Sequence, residues 1–268
     1  MLESKGMTKK AEPVDKVVDL TSGSTVTPPI RRKGIYLLPN ILTTGALFGG
    51  FYAVLSGFSG QYEWAAMAIF TAMVFDGLDG RVARMTNTQS DFGVQYDSLS
   101  DMVSFGVAPA VVAYGWGVSD LGKLGLAAAF VYASCAALRL ARFNVQVELG
   151  DSKTFTGLPS PAAAALVAGF IWSTYEMESV LALSIAGAVL TTVAGLLMVS
   201  NFKYPSFKEI DMRGRVPFIK ILYIVMGFVI ITIDPPRILF LLAVGFGFSA
   251  PLIWAWKKMS GLLFRKAS

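Results

Sequence analysis

The sequence of 268 residues has no histidine, one cysteine and few charged residues, which make up 15% of the chain. Without histidine, the commonest general base and metal ligand is missing, so proton transfer or metal binding has to rely on carboxylates. The single cysteine, Cys135, excludes an intramolecular disulfide, and its apolar neighbours indicate a packing role. Soluble domains carry about a quarter charged residues. Because 54% of this chain is hydrophobic, the composition is typical of an integral membrane protein.

Apolar stretches of near-bilayer length follow one another from Ile35 onward, which predicts an all-α, polytopic transmembrane bundle of about eight spans. The predicted spans are Tyr36–Gly57, Tyr62–Ala83, Phe92–Val118, Gly122–Phe143, Pro159–Tyr175, Val180–Ser200, Pro217–Ile233 and Ile238–Lys257. Residues 1–33 are polar and predict a flexible cytoplasmic tail, residues 34–258 the transmembrane domain, and residues 259–268 a basic cytoplasmic tail. Gly45 and Gly49 predict that another helix packs closely against the first span.

The positions of the basic residues support this topology. If the amino terminus lies inside, every Lys and Arg except Lys123 and Arg237 falls on the inner side, which is 21 of 23. Lys and Arg concentrate in the cytoplasmic loops of membrane proteins. We therefore expect a multi-pass protein of the cytoplasmic (inner) membrane with both termini inside. The net charge of +5 then reflects topology, and no nucleic-acid partner is expected.

One stretch between the second and third predicted spans concentrates acidic and small residues. It follows the pattern D-x2-D-G-x2-A-R-x8-G-x3-D-x3-D. The pattern is filled by Asp76, Asp79, Gly80, Ala83, Arg84, Gly93, Asp97 and Asp101. Acids close to a bilayer are unfavourable and usually functional. We expect this stretch to form the functional site, on the cytoplasmic side.

Helical spacing places the acids on two stripes. Asp76 and Asp79 share one face of the second span, and Asp97 and Asp101 lie four residues apart on the next helix. Two antiparallel helices would bring these stripes face to face, where unscreened carboxylates repel one another. Their oxygen ligands suit Mg²⁺, Mn²⁺ or Ca²⁺. Four acids are enough for two ions, an arrangement that holds phosphoryl groups during displacement.

The small residues in the same stretch leave room for a ligand. Gly80, Ala83 and Gly93 allow a flat or phosphorylated molecule to approach the backbone, and Arg84 can pair with phosphate oxygens. In the alternative interpretation, the glycines are packing contacts and the acids are solvated charges or ion-pair partners. The complete pattern at a membrane boundary favours a binding site.

The same eight positions match the signature of the CDP-alcohol phosphotransferases, which the chain therefore resembles. The resemblance implies a membrane enzyme that transfers a phosphatidyl or phosphoalcohol group from a CDP-linked donor to an alcohol and releases CMP. It implies that the four aspartates bind two divalent cations and that Asp101 is the base that deprotonates the acceptor hydroxyl. Gly80, Ala83, Arg84 and Gly93 would line the CDP site, and the protein would be a homodimer.

Three further stretches resemble the phosphatidylserine synthase branch of this family: LPNILTTG, LRLARFNV and FTGLPSPAAAA. In the first, Asn40 and Thr43 would flank the nucleotide pocket. In the second, Arg139 and Arg142 can grip a carboxylate or a lipid phosphate, and Asn144 can bind the amine or carboxylate of serine. Alternatively, the two arginines extend toward lipid headgroups and only set the topology.

The resemblance thus predicts a phospholipid-biosynthesis enzyme that makes phosphatidylserine and CMP from CDP-diacylglycerol and L-serine in the bilayer. One alternative is another CDP-alcohol phosphotransferase, such as a phosphatidylglycerophosphate or phosphatidylinositol-phosphate synthase. A second is a divalent-cation channel or carrier. A pore would distribute acids across the depth of the membrane, whereas the four aspartates here cluster at one face.

Overall fold

A computed structural model describes residues 37–86, 88–148, 155–177, 180–204 and 218–266. This part of the chain contains nine α-helices and two short strands. The helices are α1 (Leu37–Phe58), α2 (Tyr62–Thr86), α3 (Asp91–Asp101), α4 (Ala108–Trp116), α5 (Lys123–Glu148), α6 (Ser160–Thr174), α7 (Leu181–Val199), α8 (Phe218–Ile233) and α9 (Pro235–Lys266). The strands are β1 (Phe155–Thr156) and β2 (Lys203–Tyr204). The predicted tail at residues 1–33 lies outside the described residues.

Each predicted span corresponds to a helix or a run of helices, which confirms the all-α bundle. The third span is divided into α3, a π-helical segment at Met102–Val107, and α4. A short 3₁₀ turn, Val118–Leu121, then leads into α5. At the carboxyl end, α9 continues beyond the predicted domain boundary at residue 258 and reaches Lys266. Most of the predicted tail is therefore helical. Its sequence permits this, because residues 259–266 contain no proline and only one glycine.

Four helices are long and apolar enough to cross a membrane by themselves: Leu37–Phe58, Lys123–Val145, Leu181–Val199 and Pro235–Lys258. The other predicted spans fall short for identifiable reasons. The α2 helix has 25 residues but carries the charges of the signature. The α6 helix is apolar but only 15 residues long, and α8 has 16. The chain is an integral membrane protein in which the polar helices are held among apolar ones.

Small residues allow α1 and α2 to pack closely. A Cβ atom added to Gly49 would lie 3.1 Å from both the carbonyl oxygen of Ala68 and the Cβ of Ala72. One added to Gly45 would lie 3.3 Å from the ring of Phe75. Helix backbones approach one another in this way where side chains are minimal. The predicted close packing at these two glycines is confirmed.

The α1 helix also contacts the third span at close range. A Cβ added to Gly50 would lie only 2.5 Å from the Cα and Oγ atoms of Ser104 in the π-helical segment. The Ser104 hydroxyl donates a hydrogen bond to the Ala46 carbonyl at 2.9 Å, and the Ser100 hydroxyl donates one to the Thr43 carbonyl at 3.1 Å. These contacts fix α3 and the π-helical segment against α1.

The π-helical segment begins directly after Asp101 and is held from the other side by α5. The fully buried Tyr132 donates a hydrogen bond from its hydroxyl to the Phe105 carbonyl at 2.9 Å. A π-helical turn leaves backbone carbonyls without their usual α-helical partners, so this donor satisfies a buried acceptor. Such turns are rare and often lie at functional sites.

A two-stranded antiparallel ribbon joins the chain that enters α6 to the chain that leaves α7. Phe155 pairs with Tyr204, and Thr156 pairs with Lys203. Just beyond β1, the Gly157 amide donates to the Phe202 carbonyl at 2.8 Å. Gly157 has a φ of +88°, a conformation that glycine adopts without strain. The ribbon therefore fixes the two segments to each other.

Candidate active site

Three of the four signature aspartates come together between α2 and α3. Asp76, Asp97 and Asp101 each present one carboxylate oxygen within 4.8 Å of the others. All three side chains are partly buried. The two predicted stripes therefore meet, and like charges are held at short range. A group of three hard oxygen donors at this spacing can hold a divalent cation.

The buried oxygen atom of Asp97 supports this interpretation. Its Oδ1 atom is shielded from solvent and has no hydrogen-bond partner among the described residues. Buried polar atoms in proteins nearly always have a partner, so an unpaired one needs an explanation such as a bound ion. The donor set and the unpaired oxygen together fit a metal ion.

Asp79 lies beside these three residues and is oriented differently. Its side chain is only 4% exposed, and its Oδ2 atom accepts a hydrogen bond from the Thr43 hydroxyl at 2.6 Å. The negative charge of Asp79 still acts on both Asp76 and Asp97. Asp79, the fourth predicted ligand, is therefore close to Asp76, Asp97 and Asp101 but does not belong to the group whose oxygens lie within 4.8 Å of one another. Its role as a ligand stays a prediction.

A cavity of about 300 Å³ opens next to Asp79 and Asp97, among α1, α2 and α3. It is lined by all six residues that the sequence assigned to the nucleotide: Asn40, Thr43, Gly80, Ala83, Arg84 and Gly93. At Gly80 a Cβ would meet nothing nearer than the Arg84 guanidinium at 3.6 Å, so the backbone there is open to a ligand. The structure thus brings the small residues and Arg84 to one cavity, and their contact with a nucleotide stays a prediction.

The cavity has further lining residues that the sequence analysis missed. Thr88, Gln89, Ser90 and Phe143 also contribute to its wall. Ser90 is the N-cap of α3, because its hydroxyl accepts a hydrogen bond from the Gly93 amide at 3.1 Å. A serine just before a helical run is a recognisable capping signal and marks this position in the sequence. Gln89 and Phe143 carry no comparable signal.

Arg139 approaches the carboxylates from α5. Its positive charge acts on Asp101 and Asp76, and its Nη1 atom donates a hydrogen bond to the Ser160 hydroxyl at 2.7 Å. Within the described ranges, the single ion pair under 4.0 Å joins Arg237 and Asp234 elsewhere in the bundle. Arg139 therefore faces the acidic group without pairing directly with it.

The other two residues assigned to the acceptor have different surroundings. Arg142 donates from Nη2 to the Asn201 side-chain oxygen at 3.3 Å. Asn144 accepts from the Ser98 hydroxyl at 3.0 Å and donates to the Gln95 side chain at 3.5 Å. Both ends of the Asn144 amide are thus used to connect α5 with α3. This residue is better suited to positioning α3 than to contacting an acceptor.

The apolar helical bundle places converging carboxylates beside a cavity, an arrangement suited to binding a divalent cation and a phosphorylated ligand. A comparison with protein families matches residues 36–199 to the family described as CDP-alcohol phosphatidyltransferase. The chain belongs to this family and is a membrane phosphatidyltransferase. The family predicted from the sequence is therefore confirmed.

Curated relatives agree with this assignment. The CDP-diacylglycerol–serine O-phosphatidyltransferase of Helicobacter pylori strain J99 is 35% identical over 198 residues, which cover 73% of this chain and 83% of that protein. The protein of the same name from Bacillus subtilis strain 168 is 36% identical over 172 residues, covering 64% of this chain and 92% of the relative. The archaetidylserine synthase of Methanothermobacter thermautotrophicus is 35% identical over 170 residues, covering 63% and 69%.

Proposed function

We propose that the protein transfers the phosphatidyl group of CDP-diacylglycerol to the hydroxyl of L-serine and so forms phosphatidylserine and CMP. The observation that carries this proposal is the position of Arg139, a cation that faces Asp101 and Asp76 without pairing with them. The names of the relatives add support, because serine recurs in them while the lipid changes from diacylglycerol to an archaeal lipid.

The donor binds with its cytidine diphosphate end in the cavity among α1, α2 and α3. Arg84 pairs there with phosphate oxygens, while Gly80, Ala83 and Gly93 give the ligand access to the backbone. Asn40 and Thr43 border the same cavity from α1. The two acyl chains stay in the bilayer, since the surrounding helices are apolar. This arrangement places the diphosphate next to the carboxylate group.

Asp76, Asp97 and Asp101, with Asp79 beside them, hold divalent cations, for which Mg²⁺ and Mn²⁺ are the leading candidates and Ca²⁺ a third. When bound, the cations neutralise the diphosphate and the phosphate that leaves with CMP. The three carboxylates already converge, and Asp97 Oδ1 has no partner among the described residues, so the ligands for a cation are in place before it binds. A set of two ions requires Asp79 as well, which its position at the cavity permits.

The acceptor enters from the α5 side. Arg139, helped by Arg142 one turn further along, holds the carboxylate of serine through charge-assisted hydrogen bonds. Because Arg139 faces Asp101, the serine hydroxyl lies near this carboxylate. Asp101 takes the hydroxyl proton, and the oxygen then forms a bond to the phosphorus that carries diacylglycerol. The bond from this phosphorus to the bridging oxygen breaks, and CMP departs.

We further infer that the site faces the cytoplasm and that the protein resides in the cytoplasmic membrane. This orientation rests on the 21 of 23 basic residues that fall on one side of the predicted topology. It also places the nucleotide cavity where CDP-linked donors are available. The proposed homodimer rests on the family resemblance alone.

A purified-protein assay of CMP release tests the proposed acceptor. The protein in detergent micelles with CDP-diacylglycerol and Mg²⁺ or Mn²⁺ receives L-serine, glycerol 3-phosphate or inositol phosphate in parallel. Of the three acceptors, we expect only L-serine to support CMP release, with formation of phosphatidylserine. Preference for one of the phosphorylated acceptors would keep the family and replace the serine assignment.

A further inference from the structure

We propose that Ser160 and Asn201 are positioning residues that fix the Arg139–Arg142 pair for the carboxylate of the acceptor. This inference rests on the proposed function and extends it to two residues outside the signature. Neither side chain lines the nucleotide cavity or belongs to the carboxylate group. Each is instead the hydrogen-bond partner of one of the two arginines.

The contact between Ser160 and Arg139 is short and enclosed. Ser160 is fully buried, and its hydroxyl oxygen accepts a hydrogen bond from Arg139 Nη1 at 2.7 Å. Pro159 precedes it and Pro161 follows it at the start of α6, so the backbone there has little freedom. A long arginine side chain has many rotamers in isolation. This hydrogen bond selects the one that points the guanidinium toward Asp101.

The contact between Asn201 and Arg142 repeats the same arrangement one helical turn away. Asn201 lies just after α7 and accepts a hydrogen bond from Arg142 Nη2 at 3.3 Å. Its side chain is exposed, so this contact is weaker than the one at Ser160. Residues three apart on a helix share a face. The two arginines of α5 therefore lie on one face of the helix, and each has its own partner there.

The ribbon of β1 and β2 makes these two partners one structural unit. The amides of Gly157 and Leu158 donate to the carbonyls of Phe202 and Leu197 at 2.8 and 2.9 Å. The segment that leads to Ser160 is thus hydrogen-bonded along the segment that contains Asn201. A side chain at residue 157 would collide with the backbone at Met198, and φ is positive there. The ribbon consequently sets the spacing between the two arginine partners.

A fixed pair of guanidinium groups suits a carboxylate, which accepts two parallel hydrogen bonds from a planar fork. Without Ser160 the Arg139 side chain would have to be ordered by the acceptor itself. Acceptor affinity would then fall, while the donor cavity, which neither Arg139 nor Ser160 lines, would be unaffected. The cost of ordering one long arginine side chain corresponds to about a tenfold change in binding.

The test measures the KM values for L-serine and for CDP-diacylglycerol in purified full-length Ser160→Ala and Asn201→Ala variants. We expect the KM for L-serine to rise about tenfold in Ser160→Ala and about threefold in Asn201→Ala. The KM for CDP-diacylglycerol should stay within about twofold of wild type in both. Asn201→Gln keeps a neutral amide oxygen as acceptor for Arg142 and should leave the KM for L-serine near the wild-type value.

Ser184→Ala is the matched control. Ser184 is also buried, but its hydroxyl donates to Asp120 at the opposite end of the bundle, so neither KM should change. If Ser160→Ala does not fold, the KM for L-serine in Asn201→Ala tests the positioning role, because position 201 is exposed. Unchanged L-serine KM values in an active protein, or an equal rise in both KM values, would overturn the positioning role alone. A wild-type protein without serine-dependent CMP release would overturn the proposed function as well.

Discussion

The carboxylates at the two ends of the bundle differ in their hydrogen-bond partners. At the end away from the signature, Glu63 accepts a hydrogen bond from the Tyr175 hydroxyl at 3.2 Å. Nearby, Asp234 pairs with Arg237 at 3.2 Å and also accepts from its backbone amide at 3.3 Å. Each of these carboxylates has a donor from the protein itself. They are structural contacts that need no ligand.

At the signature end, the carboxylates have one another as neighbours. Asp76, Asp97 and Asp101 converge within 4.8 Å, and Asp97 Oδ1 lacks a donor within the described part of the chain. Acidity near a membrane boundary is therefore common to both ends and does not by itself identify a site. What separates them is whether the surrounding protein supplies a hydrogen-bond donor or, as at Asp97 Oδ1, leaves an oxygen for a ligand.

The largest expected effect comes from replacing the proposed base. Asp101→Asn keeps the shape of the side chain but cannot take the acceptor proton, so CMP release should fall by about 10²–10⁴-fold. The measurement is serine-dependent kcat in purified protein. The matching change at the other end, Asp120→Asn, should leave kcat near wild type. Retention of more than about a tenth of wild-type kcat in Asp101→Asn would remove this residue from the role of base.

An intermediate effect is expected on stability. A ligand that binds only the folded state raises the free energy of unfolding by about 2.7 kcal/mol at one hundred times its Kd. Mg²⁺ or Mn²⁺ should therefore raise the unfolding temperature of the wild-type protein relative to a sample with EDTA. Asp97→Asn removes one of the converging oxygens and should abolish most of this shift. An equal shift in both proteins would place the ion elsewhere.

The smallest effect on activity is expected at the end of the bundle where the carboxylates accept hydrogen bonds from the protein. Tyr175→Phe removes the hydroxyl that donates to Glu63 and Glu176. Glu63 is partly buried and Glu176 is exposed, so water can replace this donor. A single hydrogen bond of this kind contributes about 0.5–1.5 kcal/mol to stability. We expect a slightly lower unfolding temperature and serine-dependent kcat within about twofold of wild type. A large loss of activity would show that the two ends are coupled.

The sequence was sufficient for the helices and for the meeting of the two acidic stripes. Apolar runs bounded by polar breaks gave the helix positions within a few residues, as in α1, α5 and α7. The spacing of Asp97 and Asp101 by one helical turn fixed their common face. The small residues of the signature also line one cavity, because Gly80 and Ala83 are three residues apart on one side of α2 and Gly93 lines it from α3.

Other features depend on partners that a linear pattern does not contain. Asp79 accepts a hydrogen bond from Thr43, which is 36 residues earlier and on another helix. The strands of the ribbon have two residues each, too few for a periodic signal. The π-helical segment after Asp101 has an ordinary apolar sequence, and the Tyr132 hydroxyl that supports it comes from α5. These features follow from tertiary packing.

The contact between Gly50 and Ser104 has a consequence for how the site can vary. Since a Cβ at Gly50 would lie 2.5 Å from the backbone of Ser104, the two helices touch without an intervening side chain. Ser104 lies one turn beyond Asp101, so a larger residue at position 50 would push α1 and the π-helical segment apart close to the proposed base. The separation of α1 from the π-helical segment is thus set by the absence of a single carbon atom.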